Sequence, residues 1–179
     1  MRPLILKMEM TLDGFVGQPD EKPGWPVDYY DDEMNAAMLE LISSVGVHAL
    51  GRVAYEGMAG YWQASTEPFA KPMNEIPKAV FSRTLTQADA TWPESTVYDD
   101  IATGIAELKA QDGAPIITYG GATFAQELTR LALVDEYRIN VHPVTFGNGY
   151  RLFGGPIDLE LQDVRRFGAG SVAYTYTPR

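Results

Sequence analysis

The sequence predicts an α/β domain built as a three-layer sandwich, with a mixed, mostly parallel central sheet that ends in antiparallel strands. Short apolar runs alternate with helix-periodic segments along the earlier part of the chain, which is typical of parallel βαβ units. From residue 137 onward, apolar and polar residues alternate with a period of two, which indicates antiparallel strands. The 179 residues, 45% of them hydrophobic, suit one domain over 1–179 rather than two.

The elements of the first half follow from periodicity and turn residues. They are, in order, a strand over 4–10, a turn at Asp13-Gly14, a loop over 17–26, a helix over 34–45, a strand over 45–50 and a short helix over 53–58. The loop prediction rests on its prolines and glycines. The first helix has three aspartates in front of it that are N-cap candidates.

The second half follows from the same patterns. The predicted elements are strands over 78–82 and 96–98, a helix with Ile101, Ile105 and Leu108 inward, a strand over 114–119, a helix with Phe124, Leu128, Leu131 and Ala132 inward, and strands around 137–141, 159–161 and 172–176. Asp99 or Asp100 is expected to cap the first of these helices. The segment 168–171 is predicted to turn the last two strands into a hairpin.

Composition narrows the classes of protein. The chain has no cysteine, which excludes disulfides, thiolate metal sites and cysteine nucleophiles, and its two histidines argue against a zinc site. A net charge of −10 repels phosphate backbones, so a nucleic-acid partner is not expected, although a local site for one small anionic ligand is compatible with it. The amino terminus has no signal-peptide core, and no stretch approaches the roughly 20 apolar residues of a membrane span, so we expect a cytoplasmic protein without a membrane partner.

The pair Gly120-Gly121 lies between an apolar strand and a helix. The first turn of a helix offers unpaired N–H groups and a partial positive charge, which attract phosphate, and glycine lets a ligand approach the backbone closely. Ala122 and Thr123 continue this turn, and the Thr123 hydroxyl is a further donor to a phosphate oxygen. The alternative is that the two glycines only make a tight turn.

A similar junction occurs at Gly51-Arg52. The guanidinium of Arg52 is a preferred partner for phosphate because it donates two hydrogen bonds at once. The alternative is a surface ion pair between Arg52 and Glu56, one helical turn later. Strand carboxyl ends line the ligand crevice of an open α/β sheet, so the two junctions together predict a site for a phosphorylated dinucleotide.

Six segments carry a resemblance to a known family over nearly the whole chain. They are Thr11–Val16 (TLDGFV), Leu50–Glu56 (LGRVAYE), Lys78–Leu85 (KAVFSRTL), Gly120-Gly121, Leu133–Glu136 (LVDE) and Pro143–Gly149 (PVTFGNG). This ordered series resembles the dihydrofolate reductase-like superfamily, and more nearly its branch containing the reductase domain of bacterial riboflavin biosynthesis. One departure is Ala54, which takes the place of threonine in the L-G-R-x-T-Y-E motif of that branch.

The resemblance implies that NADPH is the cofactor and lies across the carboxyl edge of the sheet. It implies that the adenosine 2′-phosphate end is held by Gly51, Arg52, Ser82 and Arg83, and the pyrophosphate by Gly120, Gly121, Ala122 and Thr123. Asp13, Gly14 and the loop up to Trp25 would cover the nicotinamide.

The catalytic end is predicted around the first helix. In dihydrofolate reductases, one acidic residue on this helix, shortly after a tryptophan, anchors the pterin. Here Trp25 is followed by Asp28, Asp31 and Asp32, of which we predict Asp32 as the catalytic acid because it would lie furthest into the helix and the cleft. Helix capping is the alternative for all three aspartates.

The two histidines and two of the aromatic residues also bear on the same cleft. His48 lies in an apolar strand and is predicted as a core or edge histidine, whereas His142 lies at a strand end from which it would approach the cleft. Trp25 and Tyr30 would wall a heterocycle pocket by stacking, or pack under a loop.

These inferences favour an NADPH-dependent reductase that transfers a hydride to a small substrate. The substrate is expected to be a heterocycle, imine or carbonyl compound, pterin-like or pyrimidine-like, as in dihydrofolate reductase or 5-amino-6-(5-phosphoribosylamino)uracil reductase. One alternative is a non-catalytic NADP(H)-binding or regulatory module on the same fold, and another is a small-molecule resistance or storage protein. The resemblance also implies a homodimer, because relatives pair through sheet edges and terminal strands.

Overall fold

The computed structural model describes residues 1–19 and 24–179, so residues 20–23 of the predicted loop lie outside the described residues. The strands are β1 (Leu4–Thr11), β2 (Phe15–Gly17), β3 (Val47–Gly51), β4 (Lys78–Phe81), β5 (Ser95–Tyr98), β6 (Ile116–Tyr119), β7 (Glu136–His142), β8 (Tyr150–Arg151), β9 (Leu159–Arg166) and β10 (Val172–Pro178). The α-helices are α1 (Asp32–Ser43), α2 (Arg52–Ala64), α3 (Ala70–Glu75), α4 (Ile101–Ala110) and α5 (Ala122–Arg130), and two 3₁₀ helices cover Trp25–Tyr29 and Gln87–Asp89.

Eight strands form one sheet in the order β5-β4-β3-β6-β1-β7-β10-β9. The six strands from β5 to β7 are parallel to their neighbours, whereas β10 runs antiparallel to both β7 and β9. The predicted mixed sheet, with parallel strands first and an antiparallel hairpin last, is therefore confirmed. A separate two-stranded ribbon joins β2 to β8.

Strand β1 lies in the middle of the sheet and shows why the domain has three layers. Leu4, Leu6 and Met8 belong to a core that includes residues of α4 and α5 on one face of the sheet. Ile5 points to the other face, where it packs in a second cluster with Leu41 of α1. Both faces of the parallel sheet are thus covered by helices, as strands buried on two sides require.

Helix α1 begins at Asp32, directly after its N-cap residue Asp31. The Asp31 carboxylate accepts a hydrogen bond from the Met34 N–H at 2.8 Å and a second from the Ala169 N–H at 3.0 Å, in the turn between β9 and β10. Asp31 therefore caps the helix and ties its start to the terminal hairpin. In the same way Asp100, one of the two predicted caps, accepts from the Thr103 N–H at the start of α4.

Three expectations on helices were incomplete or wrong. Helix α2 extends to Ala64, well beyond the predicted residue 58, and α3 was not predicted because it has six residues and is held by the burial of Ala70 and Met73. Ala132 does not face inward: α5 ends at Arg130, and Ala132 is exposed with a φ of 52°. The chain turns there toward β7, which ends the helical periodicity.

His48 is a core histidine, as predicted. It is fully buried, and its Nδ1 atom lies 2.9 Å from the Tyr119 hydroxyl while its Nε2 atom lies 3.2 Å from the Pro72 carbonyl. Nε2 must carry the proton, because a carbonyl only accepts, so Nδ1 accepts from Tyr119. Burial, with a smaller contribution from the charge of Lys78, lowers the pKa of His48 to about 4.

Close packing between α4 and the sheet yields a test at two helical glycines. A β-carbon on Gly104 would lie 2.8 Å from Phe81 Cε1 and 2.8 Å from Tyr98 Cδ1, whereas one on Gly57 of α2 would meet nothing within 4 Å. We expect Gly104→Ala to lower the free energy of unfolding by about 1–3 kcal/mol through overpacking. Gly57→Ala should raise it by about 0.5–1 kcal/mol because alanine favours the helix. Urea unfolding of both variants checks the opposite signs, and a stabilising Gly104→Ala would contradict this packing.

Candidate functional site

The two glycine junctions predicted from the sequence lie side by side. Strands β3 and β6 are parallel neighbours, and each runs directly into a helix, α2 after Gly51 and α5 after Gly121. A β-carbon placed on Gly121 would lie 3.8 Å from the Cβ of Ala54 in the first turn of α2. The structure therefore brings both junctions to one carboxyl edge of the sheet, which we call the cleft edge, and sets Ala54 between them.

The two helix starts at the cleft edge differ from those of α1 and α4. Helices α1 and α4 begin with aspartate caps, whereas α2 and α5 begin at Gly51 and Gly121 without a side-chain cap and without an acidic residue in the first turn. Gly120 and Gly121 have φ angles of 71° and 70°, in the left-handed region that favours glycine. Their helix starts leave backbone N–H groups and a partial positive charge for an anion.

Arg52 is the first residue of α2. Its Nη1 atom lies 3.0 Å and 3.1 Å from the two carboxylate oxygens of Glu56, and about half of each side chain is exposed. This is the surface ion pair that the sequence analysis gave as the alternative to phosphate binding by Arg52. An exposed pair of this kind contributes only a few tenths of a kcal/mol, so an anionic ligand can displace Glu56 from the guanidinium.

Ser82 and Arg83 follow β4 on the next turn along the cleft edge. The Ser82 Oγ atom accepts from the N–H groups of Thr84 at 3.1 Å and Leu85 at 2.9 Å, which closes the turn, and Arg83 is exposed. A groove of about 560 Å³ separates this turn from α2. It is lined by Arg52, Tyr55, Glu56, Ala59, Gly60, Gln63, Thr84, Leu85, Asp89 and Thr91.

Asp13 holds loops together. Its carboxylate accepts from the Thr11 hydroxyl at 2.6 Å and from the N–H groups of Phe146 and Gly147 at 3.2 Å and 2.8 Å. These bonds, that of Thr11 above all, lower the pKa of Asp13. Gly14 next to it has a φ of 86°, so this turn after β1 requires glycine. The role implied for Asp13 and Gly14 in covering a nicotinamide stays a prediction.

A polar cluster that the sequence did not predict lies on the α1 side of β1. We call it the Glu9 cluster, and it consists of Lys7, Glu9, Tyr30, Asn140, His142 and Ser171. The Glu9 carboxylate is at its centre: the Tyr30 hydroxyl donates to Oε1 at 2.5 Å, Asn140 Nδ2 donates to it at 3.4 Å, and Lys7 forms an ion pair with the same oxygen. Its other oxygen, Oε2, lies 2.6 Å from His142 Nε2.

His142 is neutral in this arrangement, and its tautomer follows from its partners. An ionised carboxylate only accepts, so Nε2 carries the proton that it donates to Glu9, and Nδ1 accepts from the Ser171 hydroxyl at 2.8 Å. Burial lowers the pKa of His142 to about 4, and the positive charge of Lys7 adds to this effect. Burial also lowers the pKa of Lys7 well below its usual range and raises that of Tyr30.

Aromatic rings surround His142 at the carboxyl end of β7. The ring centroids of Trp25 and Tyr29 lie 5.4 Å and 5.5 Å from that of His142, and Trp25 also contacts Phe146 at 5.0 Å. The ring of Tyr30 stacks on His142 at 6.0 Å. Trp25 and Tyr30, which the sequence offered as walls of a heterocycle pocket, are therefore brought together over the Glu9 cluster.

Asp32, the predicted catalytic acid, is the first residue of α1 and is exposed. Its neighbour Asp31 is the helix cap, and Tyr30 is the residue of this segment that reaches Glu9. The sequence did contain one indication of the Glu9 cluster: Lys7 and Glu9 are charged residues on one face of a strand that is otherwise apolar.

Within residues 1–19 and 24–179, no group of three or more His, Cys, Asp or Glu side chains is arranged to hold a metal ion. Within the same ranges, none of the helices combines the length and the apolar character needed to cross a membrane.

The sheet order defines an open α/β domain, a class of protein whose ligands bind at the carboxyl ends of the parallel strands. Within that class, the chain belongs to the RibD C-terminal domain family, whose model matches residues 2–173. This confirms the family that the ordered sequence motifs indicated.

Individual proteins resemble the chain over its whole length. The uncharacterised protein YyaP of Bacillus subtilis is 29% identical over 183 residues, covering 98% of this chain and 94% of YyaP. A crystal structure of a provisionally assigned riboflavin biosynthesis protein from a Shewanella species superposes with a TM-score of 0.80 at 19% identity, covering 99% of both chains. Dihydrofolate reductase from Enterococcus faecalis, complexed with NADP(H), superposes with a TM-score of 0.66 at 14% identity, covering 99% of this chain and 96% of the reductase. The two superpositions confirm the predicted fold.

The depressed pKa values of both histidines predict acid sensitivity in a defined pH range. Each binds a proton in the unfolded chain near pH 6.5 but in the folded chain only near pH 4, so stability is lost as the pH falls through this interval. Between pH 7 and pH 5 we expect a loss of about 2 kcal/mol per histidine.

Urea unfolding at the two pH values measures this loss, and proton uptake on unfolding at pH 5 should approach two. His142→Gln, with one titrating group fewer, should show about half of the dependence. A wild-type free energy of unfolding that stays constant from pH 7 to pH 5 would contradict the assignment of two buried neutral histidines.

Proposed function

We propose that this protein is an NADPH-dependent reductase that transfers a hydride to a small heterocyclic, imine or carbonyl substrate, pterin-like or pyrimidine-like. The observation that carries the proposal is the pair of uncapped helix starts, at Gly51-Arg52 and Gly120-Gly121, set next to each other at the cleft edge. Membership of the RibD C-terminal domain family and the likeness to an NADP(H)-bound dihydrofolate reductase support it.

The residues at the cleft edge fit a phosphorylated dinucleotide. The N–H groups at the start of α5, opened by Gly120 and Gly121 and followed by Ala122 and Thr123, would hold the pyrophosphate. Arg52, with Ser82 and Arg83 on the facing turn, would hold the 2′-phosphate of the adenosine ribose. The groove between α2 and that turn gives this end of the ligand room.

When bound, NADPH supplies a hydride from its nicotinamide ring. The chain's own contribution is to orient the two reactants, exclude water and hold protons near the substrate. Aromatic rings around Trp25 help to keep water from His142, and the Glu9 cluster holds exchangeable protons there. Asp32 remains a candidate acid at the rim, in the first turn of α1.

Titration with NADPH, followed by tryptophan fluorescence, tests binding, because Trp25 contacts His142 at the carboxyl end of β7, on the edge of the sheet where NADPH is proposed to bind. Saturation at or below tens of micromolar is expected. Turnover is then tested by following NADPH absorbance with pterin, pyrimidine and carbonyl panels. Stoichiometric binding without oxidation of NADPH by any of them would favour the non-catalytic binding module, and tight binding of a small molecule independent of NADPH would favour a storage or resistance protein.

Arg52→Ala should weaken NADPH more than NADH, because only NADPH carries the 2′-phosphate. A charge-assisted contact between the guanidinium and a bound phosphate, away from bulk water, is worth about 1.5–3 kcal/mol, so we expect about 10- to 100-fold weaker NADPH binding and an NADH affinity within about twofold of wild type. Dissociation constants for both cofactors, measured side by side, check this.

Arg130→Ala is the matched control. Arg130 is also an exposed helical arginine, paired with Glu127 three residues earlier in the chain, but it lies at the opposite end of α5 from Gly121. Its removal should leave both affinities unchanged. An equal loss of NADPH and NADH binding in Arg52→Ala would remove Arg52 from the 2′-phosphate.

We also propose that the protein is a homodimer paired at the free edge of its sheet. Strand β9 is the last strand of the sheet, and Leu161 and Val164 on it are 51% and 45% exposed. They lie opposite Tyr176 and Tyr174 on β10, whose rings stack, so the four side chains form one partly apolar surface.

Sedimentation velocity tests this pairing. The wild-type chain should sediment as a dimer, and the double variant Leu161→Glu, Val164→Glu should sediment as a monomer because the charges oppose burial of this surface. The same two changes at exposed helix positions Val53 and Tyr61 serve as the control for added charge. A monomeric wild-type chain at micromolar concentration contradicts the proposal.

A further inference from the structure

The groove proposed to receive the 2′-phosphate contains acidic side chains as well as Arg52. Among the described residues that line it, Arg52 carries a positive charge, whereas Glu56 and Asp89 carry negative charges. A phosphate monoester has a charge of about −1.5 to −2 near neutral pH, so each of these carboxylates repels it. The lining of the groove therefore combines a charge that attracts a 2′-phosphate with charges that oppose it.

We propose that Glu56 sets the cofactor preference of this groove. Its carboxylate, held on Arg52, opposes the 2′-phosphate and keeps the affinity for NADPH closer to that for NADH than Arg52 alone would. The inference rests on the proposed function, because it concerns the same cofactor site. It gives Glu56 a role in specificity, in addition to its ion pair on the surface of α2.

The geometry of the ion pair leaves an edge of the guanidinium for a phosphate beside Glu56. Both carboxylate oxygens contact Nη1 of Arg52, at 3.0 Å and 3.1 Å, whereas the Nε and Nη2 atoms donate to no atom of the described residues. A phosphate can therefore bind the edge formed by Nε and Nη2 while Glu56 remains on Nη1. Two anions on one guanidinium, each at hydrogen-bonding distance, lie within about 7 Å of each other.

Release of Glu56 from Arg52 does not remove the repulsion. Residues four apart on a helix lie on the same face, with about 5–6 Å between their β-carbons, so the carboxylate stays close to the guanidinium. The Glu56 side chain also lines the groove and is half-exposed. Its negative charge is therefore present in the groove whether or not the ion pair is intact.

Glu56 affects phosphate binding in two opposite ways, and their sizes decide the result. By holding the guanidinium in place, the ion pair favours binding, but an exposed pair at i and i+4 changes an equilibrium by only about twofold. Repulsion between a carboxylate and a phosphate within about 7 Å, at the effective dielectric constant of a protein surface and at physiological ionic strength, changes it by about three- to tenfold. Repulsion is the larger effect, so Glu56 lowers the affinity for NADPH.

Asp89 adds to the repulsion but also has a structural role. Its carboxylate accepts a hydrogen bond from the Thr86 hydroxyl at 2.5 Å, in the capping box of the 3₁₀ helix Gln87–Asp89. A change of Asp89 would therefore disturb the turn that forms one wall of the groove. Within the described part of the chain, the Glu56 carboxylate accepts hydrogen bonds from Arg52 alone, so a change at Glu56 isolates the effect of charge.

A charge series at Glu56 tests the proposal. Calorimetric titration gives the dissociation constants of NADPH and NADH for the intact wild-type chain and for the variants Glu56→Gln and Glu56→Lys. We expect Glu56→Gln to bind NADPH about three- to tenfold more tightly than wild type, and Glu56→Lys to bind it more tightly still, with NADH affinities within about twofold of wild type. The gain for NADPH should shrink as the salt concentration rises from about 0.05 M to about 0.5 M, because salt screens the repulsion.

Glu127→Gln is the matched control. Glu127 forms a similar exposed pair with Arg130, three residues later, in the second half of α5. The variant loses a carboxylate and a helical ion pair outside the groove, so its ratio of NADPH to NADH affinity should match wild type. NADH binding, measured on the same samples, shows that each variant is folded.

The outcomes distinguish the two proposals. Unchanged or weaker NADPH binding in Glu56→Gln, when the wild-type chain binds NADPH, overturns the role of Glu56 and leaves the proposed function standing. An equal gain for NADPH and NADH also overturns that role, because NADH has no 2′-phosphate to repel. A wild-type chain that prefers NADH, but whose NADPH affinity rises along the charge series, supports the role of Glu56 and overturns NADPH as the cofactor. A wild-type chain that binds neither cofactor overturns both proposals.

Discussion

A buried charge in the middle of the sheet constrains much of this structure. The Glu9 carboxylate stands on the central strand with little exposure, and a charge in that position has to be compensated by the chain itself. Its partners come from β1, from β7 and from the segment before α1. The carboxylate therefore links the pairing of β1 with β7 to the position of the 3₁₀ helix before α1. His142 extends this network to the terminal hairpin, because its Nδ1 atom accepts a hydrogen bond from Ser171.

The starts of α2 and α5, at the same carboxyl edge of the sheet, differ from the surroundings of Glu9 in how their polar groups are satisfied. Around Glu9, side chains donate hydrogen bonds to both oxygens of the carboxylate, whereas the starts of α2 and α5 leave backbone donors without a side-chain cap. Helices α1 and α4 are capped by aspartate, at Asp31 and Asp100, whereas the two adjacent helix starts at the cleft edge have no side-chain cap, as is also true of the short helix α3. The Glu9 carboxylate is satisfied by side chains of the chain itself, whereas the backbone N–H groups of the two uncapped helix starts suit the anion that we propose binds there.

Several features were predictable because they depend on neighbours in sequence. The alternation in β1, the periodicity of α1 and α4 and the glycines before α2 and α5 are local patterns, and each element was found at or near its predicted position. Short α3 was missed because its six residues are helical through the burial of Ala70 and Met73, which only packing decides. The sequence offered three aspartates as candidate caps of α1. In the structure Asp31 is the cap, and it also accepts a hydrogen bond from the Ala169 N–H in the distant turn between β9 and β10.

The sequence by itself determined the three-layer fold class, the order in which parallel strands come first and antiparallel strands last, and the glycines that precede two helices. These features follow from periodicity and backbone freedom, which are local properties. It also determined the family through the order of its motifs. Only the tertiary structure decided which polar groups meet. Glu9 and His142 are 133 residues apart, and no local rule links them. They meet because β1 and β7 are parallel neighbours, with Glu9 beside Asn140 and Thr11 beside His142 in the register of the sheet.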